Sequence, residues 1–160
     1  MIYFFISAVI ILTDFIAKRI VLAQLKEGST VPLWNGVFHL TYVENRGAAF
    51  GILQNQKWFF IVLTAIVLAV VIYVALRQKF KHPILCTALS LLAGGAVGNL
   101  IDRVVYGYVV DFLDFCLIDF PVFNIADIFI VIGAILLAIY FIFFDKEEEK
   151  ETEKNEQDNC

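Results

Sequence analysis

Four long apolar stretches constrain this chain more than any other feature. Residues 2–22, 58–76, 84–101 and 128–144 each have the length of a membrane crossing, which takes about 20 predominantly apolar residues within a range of about 17–25. The last three hold no charged residue, and the second and fourth are apolar all round, as lipid-facing helices should be. Of the 160 residues 61% are hydrophobic and 18% charged, with mean hydropathy +0.82. A soluble domain holds about 45–50% apolar and about 25% charged residues, so the excess is too large to hide in one small core. The net charge of −4 is set by residues 145–160, where eight acids meet three lysines. The body is close to neutral, which gives nucleic-acid binding no support.

The connections between stretches are unequal. Residues 77–83 are few and hold Arg77, Lys79, Lys81 and His82, whereas residues 102–127 hold only Arg103 as a base. The positive-inside rule then puts the short connection in the cytoplasm. Both termini are expected there, with both long connections outside. The N-terminal stretch lacks a basic leader and a small-residue cleavage site and contains Asp14, Lys18 and Arg19, so a retained first span is expected rather than a cleaved signal. Residues 37–43 (VFHLTYV) are β-rich and follow a turn at Trp34-Asn35-Gly36. The expectation is an all-α membrane protein: four transmembrane helices with a small extracytoplasmic β-sheet between helices 1 and 2. Residues 1–144 form the membrane domain and residues 145–160 a charged, disordered cytoplasmic tail.

This orientation gathers the polar residues. Asp14 and Lys18, four apart and on one helix face, lie towards the outer end of the first helix. Asn99, Asp102 and Arg103 lie at the outer end of the third, with Asn99 and Arg103 on one face. Asp127 falls in the first turn of the fourth, and Asn45 and Asp111 lie on the outer connections. Ionisable groups in membranes are expensive and usually paired or functional. Each also has a plainer reading. Asp14 with Lys18 is equally a structural ion pair, and Asp102 with Arg103 equally a helix-end anchor. Asp127 taken alone is an acid favoured by the helix dipole. Asp114 and Asp119 read as solvated loop acids, and Gly94 with Gly98 as a helix-packing pair. Gly47, beside Ala48, Ala49 and Gly51, permits close backbone approach.

Other chemistries are poorly supplied. Ser90 lies mid-span and His82 on the cytoplasmic side, so a serine–histidine pair does not form. Ser29 with Lys57 has no motif around it, and His39 with Cys116 offers only a thiol dyad on the outer face. No HExxH, CxxC or histidine cluster suggests a metal, and no cofactor is expected. A proton-coupled carrier would also use membrane carboxylates, but near the midplane and commonly with internal repeats. What remains is carboxylate chemistry, in which two neighbouring acids cannot both ionise easily and share one proton. The residues alone indicate an outer-face carboxylate site without naming the pair.

Four blocks then occur in order: Asn45-Arg46-Gly47-Ala48-Ala49-Phe50, Gly94-Gly95-Ala96-Val97-Gly98-Asn99-Leu100-Ile101-Asp102-Arg103, Val109-Val110-Asp111-Phe112, and Phe123-Asn124-Ile125-Ala126-Asp127. With the four spans and the Asp14–Lys18 spacing, they resemble the signal peptidase II family of bacterial inner-membrane aspartic peptidases over all but the tail. The resemblance implies that Asp111 and Asp127 are the catalytic pair. It implies that Asn45, Gly47, Asn99, Arg103 and Asn124 bind substrate or position the pair, and that Asp14, Lys18 and Asp102 support it. It further implies a prolipoprotein substrate whose diacylglyceryl-modified Cys marks the cleavage point; contact with membrane lipid, a monomer and no metal or cofactor are the accompanying expectations.

Overall fold

The computed structural model describes residues 2–48, 50, 52–77, 82–118 and 120–144; the expectations for Asp119 and for the tail at 145–160 fall outside these. The elements run α1 (Ile2–Gln24), β1 (Thr30–Trp34), β2 (Phe38–Asn45), α2 (Lys57–Arg77), α3 (Pro83–Val105), β3 (Val109–Phe115), a 3₁₀ turn (Cys116–Ile118) and α4 (Ile125–Phe143). Among the described residues, three helices are long and apolar enough to cross a membrane: Lys57–Leu76, Pro83–Val105 and Ile125–Phe143. The first helix, α1, is as long, but Asp14, Lys18 and Arg19 interrupt its hydropathy.

Helix ends follow local chemistry. His82 is extended and Pro83 opens α3, a position where the missing N–H costs nothing. Asn124 caps α4: its side chain accepts from Asp127 N–H while the Asp127 carboxylate accepts from Asn124 N–H, a reciprocal capping box. The expected turn is present. Val37 N–H donates to Trp34 C=O at 3.0 Å and Gly36 takes φ +70°, the left-handed position of a type II turn.

The sheet departs from expectation in its third strand. The order is β1-β2-β3, all antiparallel, and β3 comes from the connection between α3 and α4 rather than that between α1 and α2. The fold is therefore helix-rich with a three-stranded sheet contributed by two connections. Register pairs Asn45 with Val109 and Val43 with Asp111, so sheet pairing brings Asn45 to Asp111. Asp114, expected in a solvated loop, lies on β3 and accepts from Thr41 Oγ1 at 2.6 Å. Val21 of α1, Tyr42 of β2, and Val110 and Phe112 of β3 form a buried cluster that seats the sheet on the end of α1.

The central helix is α3, which packs on α1, α2 and α4. Its small residues make this approach close. A Cβ on Gly94 would lie 3.0 Å from Ile10 Cβ, and one on Gly98 2.7 Å from Asp14 Oδ2. The tightest is Gly95, where a Cβ would lie 2.5 Å from the Ala126 carbonyl oxygen. That neighbour is backbone and cannot swing aside. Gly95→Ala is therefore expected to separate α3 from α4 at a cost of about 1–3 kcal/mol. At about 2–4 °C per kcal/mol for a chain of this size, thermal unfolding in detergent should show the loss; an unchanged midpoint would contradict this packing.

Candidate active site

The site starts from one buried cation. Lys18 is 2% exposed, and its ammonium lies 2.8 Å from Asp14 Oδ2, 2.9 Å from Asp102 Oδ2 and 2.9 Å from Asn99 Oδ1. The ammonium, which can only donate, thus holds two ion pairs and one hydrogen bond. The anions have further partners: Ala126 N–H donates to Asp14 Oδ1 at 2.9 Å, and Val110 N–H to Asp102 Oδ2 at 3.1 Å. One helix, α1, is thereby tied to α3, to the first turn of α4 and to β3. The Asp102–Arg103 anchor is corrected accordingly, because Asp102 pairs with Lys18 inside the bundle.

The cation also sets the direction of the hydrogen bonds that follow. Asn99 must turn Oδ1 to the ammonium, which leaves its Nδ2 to donate to Asp127 Oδ1 at 2.7 Å. Asn99 Oδ1 also accepts from Asn124 Nδ2 at 3.1 Å, and the same Asn124 Nδ2 donates to Asp111 Oδ1 at 2.6 Å. Asn124 N–H donates to Asp127 Oδ2 at 3.1 Å. Both Asp111 and Asp127 thus hang on Asn124, which is fully buried. Asn45 Nδ2 completes the set by donating to Asp111 Oδ2 at 2.9 Å, while its Oδ1 accepts from Gly47 N–H at 3.0 Å.

The expected residues therefore converge, through amides rather than cations at the two carboxylates. An amide donor steadies a carboxylate without fixing it as ionised, as direct pairing to a lysine would. Burial first, and the neighbouring Asp127 charge second, push the Asp111 carboxyl up to about 7, against the opposing pull of Asn45 and Asn124. Arg103 stands to one side, its guanidinium 4.9 Å from the centre of the Phe60 ring and 3.4 Å from the Gly47 carbonyl oxygen.

Asp111 and Asp127 open onto a cavity of about 690 Å³ that Asn45, Gly47, Asn99 and Arg103 also line. Its remaining walls are largely apolar, including Leu63 and Val67 of α2, Ile130 and Val131 of α4, and the segment from Phe120 to Phe123. A second apolar cavity of about 430 Å³ shares Val67 and Leu92 with it and extends between α2, α3 and α4. Inspection of the sequence missed two parts of this design. The Asn-x-x-Asp capping box at Asn124 and Asp127 was readable as an acid three residues after an N-cap. The backbone donors Ala126 and Val110 carry no side-chain signal.

Removing the cation should be costly because it strands two buried carboxylates. Lys18→Met is expected to destabilise by about 3–5 kcal/mol, the usual result of breaking a buried ion pair from one side. Adding Asp14→Asn and Asp102→Asn should recover much of that loss in detergent unfolding. No recovery would mean that Lys18 acts by packing instead of charge.

Comparison with known proteins identifies the family. The family model described as signal peptidase (SPase) II matches residues 6–143. A lipoprotein signal peptidase of Brevibacillus brevis is 47% identical over 148 residues, covering 92% of this chain and 99% of that protein. One from Clostridioides difficile is 46% identical over 147 residues, with coverage of 92% and 99%. Two solved chains, both described as bacterial membrane enzyme structures obtained by the in meso method, are 36% identical. They superpose with TM-scores of 0.84 and 0.81, covering 88% and 89% of this chain and 87% and 93% of theirs. With its carboxylate-bearing cavity and membrane-length helices, this chain belongs to the signal peptidase II family.

Proposed function

We propose that Asp111 and Asp127 are the catalytic pair with which this lipoprotein signal peptidase removes signal peptides from prolipoproteins. The observation that carries the assignment is the shared suspension of both carboxyls from Asn124 at the mouth of a largely apolar cavity. The pair holds one proton. Its ionised member takes a proton from water as the water oxygen attacks the scissile carbonyl carbon, and its protonated member donates to the carbonyl oxygen. The product is a neutral gem-diol. As its C–N bond breaks, a proton passes to the leaving nitrogen, and the pair returns to its one-proton state. This scheme needs no cofactor.

Asn45, Asn99 and Asn124 are positioning residues that aim the two carboxyls, while Gly47 and Arg103 bound the substrate's path. Asp14, Lys18 and Asp102 support the pair from behind. The substrate is cleaved on the amino side of its diacylglyceryl-modified Cys. The apolar cavity walls suit that lipid, whose burial contributes about 0.8 kcal/mol per CH₂, so that a short peptide motif suffices for recognition.

In the membrane, α1 is the fourth span. Its charged pair faces the bundle while Phe4, Phe5, Leu12, Ile16 and Ile20 face outward. Both termini are cytoplasmic and the sheet and site extracytoplasmic, in accord with the basic residues at 77–81. Residues 1–144 are the catalytic domain. The enzyme works as a monomer among membrane lipids, without nucleic acid.

Asp111→Asn and Asp127→Asn keep size and hydrogen bonding but cannot share the proton. Each is expected to lower turnover of a diacylglyceryl-modified prolipoprotein, read by gel shift per folded molecule, by at least the ~10²–10⁴-fold typical of acid–base assistance. Near-normal turnover in either variant would overturn the assignment.

The pH profile gives a separate check. The Asp111 carboxyl is raised from 3.8 to about 7 on folding, so the proton-bearing form persists to neutral pH and is lost as pH rises through that value. kcat/KM should fall above about pH 7 with the slope of one proton. By linkage, the stability carried by that protonation is full below pH 3.8 and is lost as pH rises through about 7. A rate that climbs steadily into the alkaline range would contradict the one-proton pair.

A further inference from the structure

A second cluster of chemically capable side chains lies on the sheet, away from the catalytic pair. His39 of β2 is the cross-strand partner of Asp114 on β3, so the two side chains share a sheet face. Cys116 opens the 3₁₀ turn directly after β3, two residues beyond Asp114. Its N–H donates to the Val37 carbonyl oxygen at 3.0 Å, which extends the pairing and fixes where the thiol sits. His39 Nδ1 and Cys116 Sγ are 3.1 Å apart, and one donor atom from each of His39, Asp114 and Cys116 lies within 4.8 Å of the others. The three are half-buried. Thr41 Oγ1 donates to Asp114 Oδ2 and so orients the carboxylate, in the manner of the outer hydrogen bonds that aim metal ligands.

We propose that His39 Nδ1, a carboxylate oxygen of Asp114 and Cys116 Sγ bind one divalent zinc-class ion, with water in the fourth position. The nitrogen, oxygen and sulfur donors are those that zinc takes. With metal bonds of about 2.0–2.3 Å, tetrahedral donors stand about 3.3–3.8 Å apart, so side-chain shifts of about 1 Å complete the site. Binding displaces the Cys116 thiol proton to solvent, and thiolate and carboxylate together balance the dication. Coordination through Nδ1 leaves the imidazole proton on Nε2. The 3.2 Å hydrogen bond from Gly36 N–H to Nε2 is then exchanged for water at that exposed turn. The ion clips β2 to the end of β3. On β3, Asp114 is three residues from Asp111, about 10 Å along the strand, so the ion is separate from the hydrolytic chemistry.

The test is a Co²⁺ titration of the full-length, reduced protein in detergent, followed by the thiolate-to-cobalt charge-transfer absorption and by competition with Zn²⁺. The expected result is a saturable band at one equivalent, abolished by Zn²⁺ and lost in Cys116→Ser. His39→Ala should weaken binding at least tenfold, whereas Cys160→Ser should leave the band intact. Zn²⁺ should raise the unfolding midpoint of the parent but not of Cys116→Ser. The proposal is overturned if the parent shows no saturable band, if the band survives Cys116→Ser, or if it disappears with Cys160→Ser. Should Cys116→Ser fold poorly, the parent titration and His39→Ala decide on their own.

Discussion

One buried ammonium organises this protein. Lys18, 2% exposed, is ion-paired to Asp14 and Asp102 and donates to Asn99. Desolvating three ionic groups is expensive, and the cost is offset only when every lone pair and proton is matched. Backbone contributes as well: Ala126 N–H donates to Asp14 Oδ1 and Val110 N–H to Asp102 Oδ2. The interaction that neutralises the cation therefore also fixes the start of α4 and the start of β3. Those are the elements that carry Asp127 and Asp111.

Direction propagates from the same point. Because an ammonium cannot accept, Asn99 presents its oxygen to Lys18 and its amide nitrogen to Asp127; because Asn99 oxygen then accepts from Asn124, the Asn124 nitrogen also reaches Asp111. The two carboxyls feel the lysine through neutral amides. They are held by neutral donors, which suits the proposed sharing of one proton. A lysine placed directly against Asp111 would have aimed it equally well and ionised it, removing the acid that the proposed chemistry requires.

Much of this was legible in the residues. Long uncharged stretches reveal membrane-length helices because periodicity and length are local properties. Asp14 and Lys18 reveal a pair because four residues make one helical turn. The Gly94-to-Gly98 spacing marks a close contact, although its tightest point is Gly95 against Ala126 backbone, which no pattern of side chains announces. The third strand was not legible. Residues 109–115 (VVDFLDF) carry two acids in a mostly apolar run, and only pairing with β2 turns them into a strand whose Asp111 faces Asn45. Likewise, Asp102 and Arg103 are neighbours in sequence but face different partners, since adjacent helical residues diverge by about 100°. Convergence across α1, β2, α3, β3 and α4 is a tertiary property, and the family resemblance supplied what single-element reasoning could not.

The central claim is that Asp111 and Asp127 hold one proton between them at neutral pH. Infrared difference spectroscopy on the purified protein, in a detergent without ester carbonyls, reads the carbonyl stretch of a protonated carboxyl directly. The account predicts one such band near neutral pH, titrating away as pH rises, absent from Asp111→Asn, and titrating at lower pH in Asp127→Asn, which removes the neighbouring charge but not the burial that raises the Asp111 carboxyl. A parent protein with no protonated-carboxyl band at neutral pH, or a band whose titration is unchanged in Asp127→Asn, would contradict it.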